Sequence, residues 1–491
     1  MRRITLRILL GGLVGVAFVI SRLTYPKRPT WMIGEPHEVW ASLPIGDPGA
    51  LWGWLAELNK SIRGETRRVS WGALKAQGAK ASLRENLRND RRYLMSAGSG
   101  GLTNQFMSMV NAIYLARESN RIPILLHFVG YAMQIGGPAH KLPVSDVFDL
   151  SRVSMVLDGM PIVEIHELRQ HDLEQDHLKV VSFDGEFEQM DKLGRPLVPG
   201  DLIVAEPPET EALACWSWSL NHGRTAFLSG FDDVQWLPLP KNVYADNYTT
   251  ESGSDFLKLA RFARDANGVP QESFQALDQL NLPRPSLLPD PELFCIDDLF
   301  WYSEQPQRWD FHTEWRVGSG AWAIVGKYLR FQPALVGLAD RYLRHAFGLQ
   351  TRQALPPFFA VHIRRGAEHY AHAAWEALRE IEAVLGIHLE HIIFTTDEPD
   401  PDWRAPLLSY GWHFVDHDAM ETGDKFGHWL PTLLDNVILS RATGFLGTHG
   451  STMSIIAMRR VIDWNGGIGR WISWGHSIPE GWKWAWHRNH Q

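Results

Sequence analysis

Cysteine is nearly absent from this 491-residue chain, with Cys215 and Cys295 the only two. Two are too few for a disulfide scaffold, and their spacing is not that of a zinc site. One bridge between them is open in an oxidising compartment, but sequence alone does not bring them together. Basic charge is not in excess either. Lys and Arg number 48 against 56 Asp and Glu, a net charge of -8, which argues against a nucleic-acid binder with its basic field. Local clusters for small anions stay open. The chain has no clear internal repeat and no long low-complexity run. Past the N-terminus no segment is long and apolar enough to span a bilayer. Apolar residues at 45% and charged residues at 21% sit near the globular average, so most of the chain can bury a core. This length predicts two to four domains.

What is present begins at the N-terminus. Arg2, Arg3 and Arg7 precede an uncharged apolar run over 8–21, closed by Arg22, Lys27 and Arg28. The run is shorter than the ~20 residues of an ordinary spanning helix. Yet Phe18, Val19 and Ile20 stand where a signal-peptide cleavage site needs small residues. A signal-anchor helix over 8–23 suits a thin early-secretory bilayer and is preferred to a cleaved signal. The expectation is a single-pass type II protein of the Golgi or ER membrane. It has a cytosolic tip at 1–7, a stem at 24–90 and a luminal body. Acceptor sequons at Asn59 and Asn247 agree with glycosylation in a lumen. Tryptophan is abundant, at 22 residues, and Trp471, Trp474, Trp482, Trp484 and Trp486 cluster near the end. Packing is preferred there over a sugar-stacking face.

From residue 91 the pattern turns to alternating strands and helices. A strand over 93–97 leads into the turn Gly98-Ser99-Gly100-Gly101-Leu102-Thr103-Asn104-Gln105. Phe106, Met109, Val110 and Ile113 then recur at helical spacing, and 122–128 reads as the next strand. The stretch 150–345 is Pro-rich and is not divided into elements. From Pro357 the pattern is clear again. Strands are expected at 358–363, 392–396, 412–415, 444–447 and 461–464, and helices at 373–385, 403–410, around 430–438 and at 451–460. Such alternation predicts a parallel, doubly wound sheet, which binds ligands beyond the carboxyl ends of its strands.

Three clusters fall on that rim: His362, Arg364 and Arg365; Thr396, Asp397 and Glu398; and Thr448, His449, Gly450, Ser451, Thr452 and Ser454. Paired arginines suit a diphosphate, which a guanidinium grips through paired hydrogen bonds. The Gly-Thr-His-Gly-Ser-Thr turn precedes a helix whose amides can cradle a phosphate. Asp397 has the chemistry to accept from a base or a ribose hydroxyl. Taken singly each has a plainer reading: a solvated Arg pair, a helix-capping Ser451, an Asp-Glu-Pro turn. Their convergence on one rim favours a ligand site.

The ordered set resembles the GDP-fucose fucosyltransferases, protein O-fucosyltransferases and α1,6-/α1,2-fucosyltransferases included. Gly100-Gly101-Leu102-Thr103-Asn104-Gln105 is similar to their N-terminal turn, and His362-Ile363-Arg364-Arg365 to their H-x-R-R. Thr396-Asp397 and the segment from Asp435 to Ser454 follow in the family's order. The resemblance implies an α/β fold of GT-B type, with two Rossmann-like doubly wound domains facing a cleft. Residues 91–350 would form the N-terminal acceptor-side domain and 351–491 the nucleotide-sugar domain. It implies GDP-fucose as donor substrate, no cofactor or metal, and a protein or glycan acceptor. It further implies a diphosphate-holding Arg364 and donor contacts from Gly101, Asn104, His362, Arg365, Asp397, Asp435, Thr448, Ser451 and Thr452.

There are departures from the family pattern. Ala367 stands where an acidic residue is common, and Gly100 where some members place a catalytic Glu. Glu368 and His369 are then the nearest candidates for a base. Those departures keep a degenerate, sugar-binding or scaffold relative in view. Asp416-His417-Asp418 has the spacing of a Mn²⁺-binding D-x-D, which keeps a metal-dependent GT-A transferase as a rival. A dinucleotide oxidoreductase is disfavoured, because Thr103 occupies the third Gly position of G-x-G-x-x-G.

Overall fold

The computed structural model describes residues 83–98, 100–130, 141–168, 178–181, 202–205, 212–222, 226, 228, 231, 233–241, 243, 255–265, 267–300, 319–364, 370–472 and 484–485. The expected tip, anchor and nearly all of the stem, with Asn59, lie outside these residues, as do Asn247, Arg365, Ala367, Glu368 and His369. Among the described residues no helix is long and apolar enough to cross a membrane.

The first half contains strands β1 (Tyr93–Ser96), β2 (Ile122–Leu125), β3 (Val163–Glu164), β4 (Leu178–Val181), β5 (Leu202–Ala205), β6 (Leu213–Ser217), β7 (Val234–Pro238) and β8 (Leu293–Ile296). Six of them form one sheet in the order β3-β2-β1-β8-β6-β7, with every pair parallel, and β4 and β5 pair separately and antiparallel. The second half contains β9 (Phe358–Ile363), β10 (His391–Thr396), β11 (His413–Phe414), β12 (Gly444–Thr448), β13 (Ile468–Ile472) and β14 (Trp484–Ala485), in the order β11-β10-β9-β12-β13-β14. Only β14 runs antiparallel to its neighbour. β1, β2 and β9 are buried at every position, as strands covered on both faces must be, which is why they read as continuous apolar runs.

Seven helices carry the rest of the argument: α1 (Leu102–Glu118), α2 (Asp255–Asp265), α3 (Pro333–Ala346), α4 (Tyr370–Leu385), α5 (Pro401–Ser409), α6 (Trp429–Arg441) and α7 (Thr452–Asn465). The strand order breaks between β1 and β8 in the first sheet and between β9 and β12 in the second. These are the switch points where doubly wound sheets open a crevice. The two halves meet through α1 and α7.

One expectation needs correction. The segment 461–464 is not a strand: α7 continues to Asn465 and stops at Gly466, whose φ of 65° is left-handed. Its apolar residues are the buried face of a helix, and the strand follows at Ile468–Ile472. α3 packs on α6, Asp340 pairs with Arg441 at 3.0 Å, and the Tyr342 hydroxyl bonds Thr422 at 3.0 Å. Cys215 and Cys295, on adjacent strands β6 and β8, are joined in a buried disulfide with Cα atoms 4.7 Å apart.

Candidate functional site

The turn after β1 is set by close approach. A Cβ on Gly98 would lie 2.8 Å from the Cα of Gln105, a backbone atom that cannot give way. Buried Gln105 clamps the turn from the side: its Nε2 donates to the carbonyls of Gly100 (2.8 Å) and Val129 (2.7 Å), and its Oε1 accepts from the Val129 N–H (2.9 Å). Gly101 is the residue before α1. The clamp leaves Asn104, in the first turn of α1, aimed at the other half. The Thr452 hydroxyl donates to its Oδ1 at 2.7 Å and lies 3.0 Å from the Thr103 hydroxyl. Two expected site residues from opposite sheets, Asn104 and Thr452, are thereby in direct contact.

At the second switch point β9 and β12 end side by side. The Thr448 hydroxyl donates to the His362 carbonyl (2.8 Å), accepts from the Arg364 N–H (3.1 Å) and bonds the Tyr370 hydroxyl. Thr448 is fully buried, and its hydroxyl staples the end of β9 through these bonds. Burial pushes the Tyr370 phenol up to about 12, which keeps it a neutral hydrogen-bonding partner.

His362 is 3% exposed, and its Nδ1 lies 2.6 Å from the Ser454 hydroxyl. That hydroxyl accepts from the Thr448 N–H at 2.9 Å. Assigning its own proton to the Nδ1 lone pair places the ring proton on Nε2. Burial holds the imidazole down at about 4, with Asp397 opposing and Arg364 adding to the depression. His362 is therefore a neutral ring, and in this tautomer its Nε2–H is a donor.

Arg364 projects beyond the staple. Its Nη1 lies 2.9 Å from Asp397 Oδ2, and the two side chains are 46% and 41% exposed. The pair joins the ends of β9 and β10 and stays about half exposed. Ser451 begins α7 without a side-chain bond to the helix amides, so it is not the simple cap that its type allows. The positive end of a 14-residue helix stands beside it.

Asp435 is tied into protein. Its Oδ1 lies 3.1 Å from His417 Nε2, and His417 Nδ1 lies 3.2 Å from the Thr422 hydroxyl. This chain fastens α6 to the loop after β11 and to Tyr342 of α3. Asp416 accepts from the Ala419 N–H at 2.9 Å, so its carboxylate serves a turn. Among the described residues no three His, Cys, Asp or Glu side chains converge as metal ligands.

The structure thus gathers Arg364, Asp397, His362 and Ser451 at one switch point and joins it to Asn104 through Thr452. Tyr370 went unread because nothing in the sequence marks a helix-opening tyrosine as the partner of a strand-end threonine.

Neither a family model nor a curated protein matches this chain. Among solved structures, POFUT1 in complex with GDP-fucose aligns with 81% of this chain and 100% of its own, at 14% identity and a TM-score of 0.41. NodZ alpha-1,6-fucosyltransferase soaked with GDP-fucose aligns with 79% and 97%, at 14% identity and 0.34. Fucosyltransferase NodZ from Bradyrhizobium aligns with 75% and 92%, at 15% identity and 0.32. Likeness of this degree assigns no function.

Proposed function

We propose that this chain is a GT-B glycosyltransferase that moves fucose from GDP-fucose to a protein or glycan hydroxyl, inverting and without a metal. The observation that carries the reading is the second switch point. A half-exposed Arg364, a neutral His362 donor and an uncapped Ser451 at a helix N-terminus meet there. Asn104 reaches the same place from the opposite half. An arginine and a helix N-terminus on one rim suit a diphosphate.

In transfer, the acceptor oxygen attacks C1 of the sugar. The C1–O bond to phosphate breaks with its electron pair leaving on GDP. Arg364 exchanges Asp397 for the diphosphate and neutralises the charge that develops on it, the electrostatic contribution that most lowers such barriers. His362 supplies a fixed donor that does not compete for a proton near neutral pH. Ser451 and the first amides of α7 complete the cradle. Arg365 and Glu368, outside the described residues, are proposed as a second cation and a catalytic carboxylate.

The same reading places the protein in the Golgi or ER, anchored by 8–23 with its body in the lumen. The buried Cys215–Cys295 pair fits an oxidising compartment.

Calorimetric titration of the luminal fragment with GDP, with and without EDTA and with UDP as control, tests the proposal. Selective GDP binding that survives EDTA is the expected result. Failure to bind GDP, or binding that EDTA abolishes, would overturn it.

A further inference from the structure

Arg364 is the first residue past both ladders of β9. The last pair with β12 is Gly447 with His362, and the last pair with β10 is Thr396 with Ile363. The Arg364 N–H donates instead to a side chain, the Thr448 hydroxyl at 3.1 Å. Thr448 serves the neighbouring donor as well. Its own N–H donates to the Ser454 hydroxyl at 2.9 Å, and that hydroxyl lies 2.6 Å from His362 Nδ1. One buried threonine thus sets both Arg364 and His362, and the direction of its hydroxyl matters to the site.

A hydroxyl has one proton and two lone pairs. The Thr448 proton goes to the His362 carbonyl at 2.8 Å, a group that can only accept. One lone pair takes the Arg364 N–H. The other is left for Tyr370, whose hydroxyl is then the donor of that bond. Tyr370 therefore locks the Thr448 rotor with a lone pair turned to Arg364. It comes from outside both strands, as the first residue of α4, and is 3% exposed. Its ring sits in the apolar cluster with Val361, Ile363 and Ala374. Burial raises its phenol, and hydrogen bonds with Thr448 and with the Arg364 N–H work against that rise. Tyr370 thus meets the backbone of Arg364 as well as Thr448.

We propose that Tyr370 is a positioning residue for Arg364, its hydroxyl acting through Thr448 to aim the guanidinium at the leaving diphosphate. The inference rests on the fucosyl-transfer reading. Tyr370 gives up no proton in the reaction and acts only by holding its neighbours. Aim matters for arginine in particular. Its planar fork grips phosphate oxygens in one geometry, whereas lysine is a point charge on a flexible stem. The charge that Arg364 meets develops in the transition state, so poor aim slows turnover more than it weakens ground-state binding. Loss of the Tyr370 hydroxyl should therefore be read in kcat, and only while residue 364 is an arginine.

The test uses the full chain with GDP and GDP-fucose as probes and counts GDP released, to water and to a panel of glycan acceptors. Tyr370→Phe keeps the buried ring and removes only the hydroxyl. It should bind GDP within about threefold of wild type and leave KM for GDP-fucose unchanged, while kcat falls about tenfold. Made in the Arg364→Lys background, the same substitution should lower kcat less than about threefold. A Tyr370→Phe protein whose kcat stays within about threefold of wild type would overturn the inference. So would an equal loss in the two backgrounds, which is what a purely structural hydroxyl gives. If Arg364→Ala abolishes release while Tyr370→Phe leaves it intact, the inference fails and the transferase reading stands. If wild type binds no GDP or releases none, both fail.

Discussion

Replacing Arg364 by alanine separates a role in the fold from a role in chemistry, because the structure assigns very different magnitudes to the two. In the fold, Arg364 has an ion pair with Asp397 at 2.9 Å between side chains that are 46% and 41% exposed. Exposed pairs contribute about 0–1 kcal/mol. The backbone N–H of residue 364, which bonds Thr448, survives the substitution. Loss of that exposed pair in Arg364→Ala should therefore lower stability by about 1 kcal/mol or less. In chemistry, the side chain is proposed to grip a diphosphate. Hydrogen bonds to charged groups are each worth about 1.5–3 kcal/mol, so GDP affinity should fall roughly 10- to 150-fold. Loss of one donor to developing negative charge slows a reaction about 10²- to 10³-fold, and loss of a whole guanidinium should reach at least that. Arg364→Lys keeps the charge without the planar fork and should fall between. Urea unfolding, calorimetry with GDP and release of GDP from GDP-fucose read the three quantities separately. An Arg364→Ala protein that folds normally and keeps both GDP affinity and release within threefold of wild type would refute the assignment.

Three further outcomes follow from the same geometry. Burial holds His362 down at about 4 against an ordinary 6.5, so the unfolded chain takes the proton first. Its contribution is complete above about pH 6.5 and is lost as the pH falls toward 4, on the order of 3 kcal/mol in all at about 1.4 per pH unit; urea titrations should show His362→Gln losing less stability than wild type over that window, and parallel profiles would contradict this. Arg460 is buried among Phe106, Phe148, Phe331 and Trp464, with Nε and Nη1 lacking hydrogen-bond partners. Arg460→Met should stay within about 1 kcal/mol of wild type because an apolar chain of similar volume avoids the desolvation cost, whereas Arg460→Ala should cost about 3 kcal/mol through its cavity; a Met variant as unstable as Ala in urea would show that the charge, not the volume, holds the cage. Finally, a double-mutant cycle of Asn104→Ala and Thr452→Ala should give a coupling of about 0.5–1.5 kcal/mol in the unfolding free energy, and strict additivity would deny that the contact joins the halves.

The second half was legible because its signals are local. β9, β10 and β12 are continuous apolar runs, each closed by its own polar strand end, so period and flanking residues sufficed. Convergence on one rim followed from parallel pairing alone. The misreading at 461–464 has a physical source, since a short apolar run carries no period that separates a strand from the buried face of a helix. What stayed hidden depends on distant partners. The order β8-β6-β7 places a late strand between earlier ones, which no local pattern encodes. Cys215 and Cys295, 80 residues apart, meet only because β6 and β8 are neighbours. Thr448 reads as a ligand hydroxyl until the strand-end geometry shows its bonds to His362, Arg364 and Tyr370.

Charge at the two switch points also decides which half should take which substrate. Both halves reverse strand order beside their first strand, β1 or β9, and bring a helix to that reversal, α1 after β1 and α7 after β12. At the first reversal β8 runs into two buried carboxyls. Asp297 accepts from the Ser217 hydroxyl (2.6 Å) and from the N–H groups of Trp218 and Ser219 (3.0 Å each), while Asp298 accepts from the Ser108 hydroxyl (2.6 Å) and the Phe300 N–H (2.8 Å). Burial lifts the Asp297 carboxyl to about 6, so it carries charge at neutral pH. A diphosphate placed there would meet like charge in a poorly solvated setting, where repulsion is least screened. At the second reversal it would meet Arg364 and the positive end of α7. On the proposed reading the donor therefore goes to the second sheet. The first sheet is left for a neutral, hydroxyl-bearing acceptor, which the buried carboxyls do not repel as they would a diphosphate.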